Sequence, residues 1–309
     1  MHLKRAARRY IAALHATPWH HVFGYALLGL FFGKMLAWTM PAGLRYPFNT
    51  LVLIAAALMV VAKDLAGTPQ FLQRVRAVSV NGTGWRDRLV ALFPPEFIAL
   101  LRLDRALMRD FASWIMRRSA PPRPDGVKLT YLERGAYSTV VAIALFSVFV
   151  DIPINMFMVS VLPMVEPDQR FLLHLIFGLG AAYGLVWVLG DRWAVRGSYH
   201  VLTSGALDLQ VGSRSSGTIP LAAIAASEPV KEKRIAWCRR RGVRVGSTLL
   251  VSPFDQPNLV LTLKPHSGVT LTHYQLEEVD PTYVFLYVDR PELLAAAIAS
   301  TQSAGKHTP

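Results

Sequence analysis

Apolar residues follow two regimes along this chain. Through Gly190 they form long unbroken runs, or stripes at helical spacing; from Gly197 they alternate one by one with polar residues. Four runs approach the ~20 apolar residues that a helix needs to cross a bilayer core. They are Val22–Met40, Pro47–Ala62, Tyr137–Val165 and Phe171–Gly190. The second, PFNTLVLIAAALMVVA, is stopped by Lys63 and Asp64 and is short enough to span with little tilt. The third is interrupted by DIPIN. PAGLRY joins the first two as a tight hairpin, and EPDQR joins the last two. The change of regime falls in Phe171–Pro229, across a charged step at Asp191 and Arg192.

Leu65–Ala136 is too charged to span, with twelve basic residues against six acidic ones. Within it, PPEFIALLRLDRALMRDFASWIMRR reads as a helix started by Pro94 and Pro95 and ended by PPRP. Phe97, Leu100, Leu101, Leu107, Met108, Phe111 and Ile115 recur at helical spacing with basic residues beside them. That pattern suits a helix lying on a membrane surface, and equally one packed on its own protein. Beyond Gly197, Tyr199 and Val201, then Leu207, Leu209 and Val211, alternate as strands. TIPLAAI, STLLV, Asn258–Leu263, Gly268–His273 and Thr282–Val288 are further strand candidates, and PELLAAAIAS opens on proline as a closing helix.

Composition sharpens the membrane reading. Only 17% of the 309 residues are charged, against about 25% in soluble proteins, and 52% are hydrophobic. The net charge of +13 lies beside apolar runs, which favours anionic head groups over nucleic acid as its counterpart. The N-terminus (Lys4, Arg5, Arg8, Arg9) and the insert hold most of this charge, while the short loops carry only Arg45 and Arg170. The asymmetry predicts a multi-pass membrane protein with both termini and the insert cytoplasmic. The run after the basic N-terminus is too long and bulky for a cleaved signal and is read as a retained helix. A single cysteine, Cys238, excludes an internal disulfide framework.

YHVLTSGALDLQVGSRSSGTIPLAAIAASEP resembles the bacterial pleckstrin-homology-like domain. Ile219, Pro220, Leu221 and Ile224 match its I-P-L-x-x-I segment, and Leu202 and Thr203 its Y-x-L-T segment. His200 stands at the usual tyrosine position, with Tyr199 one residue earlier. PNLVLTL and VFLYVDRPELLAAAI are similar to the last strands and terminal helix, so the resemblance covers Asp191–Ser300. KEKRIAWCRRRGVR is an insertion relative to the family pattern. The resemblance implies a β-sandwich or part-open barrel closed by a helix, and a binding role; it carries over no catalytic residue.

Three sets of residues are candidates for function. Asp151 lies inside the third apolar run, Lys34 and His174 toward the outer ends of the first and fourth. An ionisable group at the bilayer centre costs at least ~2.5–3.5 kcal/mol and takes a partner, so Asp151 is expected to pair with Lys34 or His174, as a structural pair or as part of an ion relay. Trp237, Arg239, Arg240, Arg241 and Arg244 form the sharpest basic cluster, suited to anionic lipid or a protein partner, or to a solvated loop. His15, His20 and His21 lack the acidic or further histidine partner that a zinc site needs. Gly29/Gly33 and Gly180/Gly184 form GxxxG pairs that suit close helix packing within the chain. No P-loop, dinucleotide fingerprint, serine elbow or metalloprotease helix is present, so no cofactor, metal or catalytic residue is expected.

The expected architecture is four transmembrane helices plus a C-terminal β-rich, pleckstrin-homology-like sandwich or part-open barrel with a closing helix. Its parts are a basic N-terminus and transmembrane hairpin (1–64), a cytoplasmic basic amphipathic insert (65–136), a second transmembrane hairpin (137–190), the β domain (191–300) and a disordered tail (301–309). The expected role is non-enzymatic: a membrane-anchored binding or scaffold module for anionic lipid or a protein partner. The alternative is a small transport or ion-handling subunit using Asp151, Lys34 and His174.

Overall fold

A computed structural model of the chain describes Thr17 and residues 19–80, 84–85, 90–91, 93–119, 122–161, 167–252 and 254–304. The basic lead with His15, residues 162–166 at the end of the third apolar run, and the last five residues of the expected tail lie outside the described residues. The chain divides into two compact units, Met1–Leu100 and Leu101–Pro309.

In the first unit, helix α1 (Trp19–Trp38) packs on helix α2 (Ala42–Val80). Val22, Ala26 and Ala37 form the buried face of α1, at helical spacing, while Leu27, Leu28, Phe31 and Phe32 are exposed. A side chain at Gly33 would run into Val52 at 2.5 Å, so this glycine lets the two helices approach closely. Gly29 has open space beside it. Helix α2 does not stop at Lys63 and Asp64, as its sequence suggested, but continues to Val80. Lys63 is buried with its ammonium 5.7 Å from the Trp19 ring centroid, so an apolar stem and an aromatic face take the place of a helix stop.

The second unit begins within helix α3 (Pro95–Ile115) and contains the hairpin of helices α4 (Tyr137–Val161) and α5 (Pro167–Arg196). Helix α4 runs unbroken through Pro153, contrary to the expected interruption at DIPIN. Apolar surroundings and helix neighbours tolerate a proline that would break a helix in water. Among the described residues, three helical segments are long and apolar enough to cross a membrane: Ala42–Thr68, Tyr137–Val161 and Arg170–Arg196. His21–Ala37 is apolar but shorter.

Two sheets complete the second unit. The first has the order β1 (Val127–Leu129), β2 (His200–Leu202), β3 (Ala206–Val211), β4 (Ser215–Pro220), β8 (Thr270–His273) and β9 (Leu276–Val279), all antiparallel. The second has the order β5 (Ile224–Pro229), β7 (Leu259–Leu263), β10 (Tyr283–Leu286) and β6 (Thr248–Val251), with β10 and β6 parallel. Strand periodicity divides the side chains. Leu207, Leu209 and Val211 of β3, Leu259, Leu261 and Leu263 of β7, and Val284 and Leu286 of β10 enter one core shared by both sheets. Helix α7 (Pro291–Ala304) adds Leu294 and Ile298 to that core. This helix includes residues 301–304, which the sequence reading assigned to the tail.

Val260 and Phe285, on the opposite face of the second sheet, pack with Trp237 and Cys238 of helix α6 (Arg234–Arg241). The sheet is therefore covered on both faces, which is why β7 reads LVLTL with little alternation. Helix α6 ends at Gly242, whose φ of 66° closes the last turn: the Gly242 and Val243 amides donate to the Arg239 and Cys238 carbonyls.

Candidate functional site

Strand β1 lies ahead of the α4–α5 hairpin in the chain and pairs with β2, which lies after it. The segment between β1 and α4 is fixed to the β unit by buried carboxylates. Asp289 accepts the Glu133 and Arg134 amides, each at 3.0 Å, and Asp255 accepts the Ala136 amide. At the end of α5, buried Asp191 accepts Arg214 Nε at 2.8 Å and Arg214 Nη2 at 2.7 Å, and Tyr137 Oη donates to it at 2.8 Å. The Arg214 guanidinium lies 4.3 Å from the Phe254 ring centroid. Tyr131 Oη and Ser198 Oγ are 2.6 Å apart, and the Gly212 amide donates to Ser198 Oγ. The first turn of α4, the last turns of α5 and the β3–β4 turn are thus joined through one polar network.

Helix α3 is attached to the same region. Its Leu107 carbonyl lies so close to Gly190 of α5 that any Cβ there would collide with it. Asp104 accepts Trp187 Nε1 at 2.7 Å and Tyr183 Oη at 2.5 Å, bonds that hold its carboxyl below the ordinary range. Buried Asp110 accepts Ser213 Oγ at 2.5 Å, and burial raises its pKa. Leu103, Ala106 and Leu107 are buried, while Leu101, Trp114 and Ile115 remain exposed. The helix thus packs on its own protein and leaves Leu101, Trp114 and Ile115 uncovered.

The basic cluster on α6 departs from its expected geometry. Trp237 is 2% exposed, with Phe285 and Tyr283 edge-on to it at ring distances of 5.2 Å, so it is a core residue and not an interfacial one. Cys238 is fully buried, out of reach of a substrate. Arg240 pairs with Glu232, and Arg241 with Glu228 at 2.6 Å, with the Arg241 guanidinium also over Trp237. Arg239 and Arg244 are exposed and, among the described residues, unpaired. Half of the expected anion site is neutralised by acids that the run RRRGVRV does not contain.

Asp151 and His174 are not joined as a pair. Asp151 is exposed on α4 and His174 half-buried on α5, and among the described residues no hydrogen bond or ion pair joins them. Lys34 is exposed on α1, in the first unit. Gly180 and Gly184 have open space where a side chain would stand, so the close packing of α5 within the chain is at Gly190 instead. His21 is exposed on α1, and among the described residues no group of histidine, cysteine and acidic side chains could hold a metal ion.

Two cavities that sequence reasoning did not anticipate lie beside the end of α5. One of about 510 Å³ is lined by Trp114, Leu189, Arg192, Trp193, Arg196 and Gly197. The other, of about 430 Å³, shares Trp193 and Gly197 and adds Arg109, Asp110, Arg118 and Arg123. The available signal was the sequence DRWAVR directly after an apolar run, which reads as a boundary before it reads as a site. No family model matches the chain, and no curated protein or solved structure matches it.

Proposed function

We propose that the protein is a membrane-anchored, non-enzymatic binding module whose β unit holds a protein partner or anionic lipid at the cytoplasmic face of a bacterial inner membrane. The observation that carries this reading is the attachment of the β unit to both ends of the α4–α5 hairpin, by strand β1 before it and by Asp191–Arg214 after it. Such a joint holds a binding surface at fixed height over a bilayer. The resemblance of Asp191–Ser300 to pleckstrin-homology-like domains agrees with two sheets sharing a core into which a terminal helix packs. In this reading α1 is a fourth, short span and both termini are cytoplasmic, as the basic lead and insert favour.

The test is gentle purification of the full chain from its own membranes. A stoichiometric protein, or a selectively retained anionic phospholipid, is expected with both wild type and Asp151→Asn. If neither is retained and reconstituted liposomes show an ion flux that Asp151→Asn abolishes, the transport reading replaces this one.

A further inference from the structure

The two cavities beside the end of α5 contain an excess of positive charge that the rest of the unit leaves unused. Their walls carry Arg109, Arg118, Arg123, Arg192 and Arg196, and one acid, Asp110. Arg123 is already committed to Asp208 at 3.0 Å, to Gln210 and to the Tyr199 carbonyl, and Arg109 lies 3.8 Å from Asp110. Arg118, Arg192 and Arg196 are exposed and, among the described residues, their guanidinium groups have no acidic or hydrogen-bonding partner. The contrast with α6 is direct, because there Glu228 and Glu232 reach two of the arginines.

The backbone is shaped to deliver these groups. Helix α3 is followed by a left-handed residue, Arg117, with φ of 52°. This conformation costs a non-glycine residue about 1–2 kcal/mol. It allows the Arg118 amide to donate to the Ser113 carbonyl at 2.9 Å and turns Arg118 and Ser119 into the cavity wall. The carbonyls at the end of α5 disfavour an anion, and Arg192 and Arg196 in its last two turns offset them. Trp114 and Trp193 add flat, half-apolar walls of the kind found where bilayers meet water.

We propose that these two adjoining cavities, which share Trp193 and Gly197, form one cleft that binds a phosphate-bearing anion, with Arg118 as a ligand from one side and Arg192 and Arg196 from the other. Guanidinium groups suit phosphate because their planar donors engage its oxygens in pairs. The phosphate is that of a lipid head group or of a soluble phosphate compound. The inference deepens the binding-module reading and rests on it.

The test uses the full chain in mild detergent, titrated calorimetrically with inorganic phosphate and, separately, with short-chain phosphatidylglycerol and phosphatidylcholine. The cleft variant Arg118→Gln/Arg192→Gln/Arg196→Gln is compared with the control Arg239→Gln/Arg244→Gln, after both are matched to wild type in melting temperature. Arg118→Gln alone serves if the triple variant does not fold. The cleft variant is expected to weaken binding at least ~10-fold and the control less than ~2-fold. Saturation by inorganic phosphate identifies a soluble source, and saturation by the lipids alone identifies a head group. Absence of wild-type binding, or equal weakening by both variants, overturns the cleft assignment. Co-purification of a protein partner would still stand in that event, so the two readings fail separately.

Discussion

Replacing Arg214 by methionine tests whether the Asp191–Arg214 joint holds the second unit together. Methionine keeps most of the stem volume but removes both guanidinium bonds to Asp191. The two side chains are 14% and 8% exposed, so the carboxylate left behind has little access to water and keeps only the Tyr137 hydroxyl. Breaking a buried pair from one side costs about 3–5 kcal/mol, because an uncompensated charge remains. A domain of this size loses about 2–4 °C in melting temperature per kcal/mol, so a fall of roughly 6–20 °C is expected. The chain's one cysteine, Cys238, is fully buried in the β unit and supplies the assay. Its labelling by a thiol reagent in the detergent-solubilised full chain, followed against temperature, reports opening of that unit. In an Asp191→Asn background, where the stranded charge is gone, the same Arg214→Met change should cost only about 1 kcal/mol. A loss below about 1 kcal/mol in the wild-type background, the value of a solvated surface pair, would refute the reasoning.

Gly190→Ala should cost about 1–3 kcal/mol, since the methyl group meets the Leu107 carbonyl, whereas Gly180→Ala, with open space beside it, should change the same labelling midpoint by less than about 1 kcal/mol. Stability should also fall on acidification below pH 6.5. Burial, with help from Arg123 and Arg234 respectively, lowers the His200 pKa to about 3 and that of His273 to about 4, so the unfolded chain takes up protons that the folded one refuses. Each histidine contributes a loss of about 1.4 kcal/mol per pH unit between 6.5 and its folded value. Asp110 and Asp255, raised by burial, act in the opposite sense at the acid end. The check is therefore a difference: unfolding measured from pH 7 to 4 should show a shallower loss for His200→Phe than for wild type.

What the sequence made legible were features with local cause. Long apolar runs mark α2, α4 and α5 because a helix that faces lipid has no polar side to interrupt it. Alternation marks β3, and the proline start marks α7. The missed features depend on distant partners. Strand β1 is three residues, VKL, with only Leu129 buried, and its pairing is defined by residues beyond the helical hairpin. Strand β9, LEEV, has no fully buried side chain and no pattern to read. Helix α6 is half arginine, and its two buried residues, Trp237 and Cys238, are adjacent, so neither a helical nor a strand period emerges. The candidate cleft was hidden for the same reason: Arg118 follows α3 and Arg192 lies in α5, and the contacts of Leu107 with Gly190 and of Asp104 with Tyr183 and Trp187 bring those helices together.

The position of β1 also dictates an order of assembly. During synthesis β1 emerges before α4 and α5, and its partner β2 emerges only after both. Until the ribosome has passed Leu202, Leu129 and Tyr131 have no core to enter and the β1 backbone has no ladder. The helical hairpin must therefore reach the bilayer with its upstream flank still unfolded. The sheet can then close only if α4 and α5 have gone in with their ends level, because the pairs Val127–Leu202 and Leu129–His200 admit no slippage without turning Leu129 out of the core. Closure of the first sheet thus depends on the hairpin: with its ends out of step, β1 and β2 would not pair and a strand edge would stay exposed.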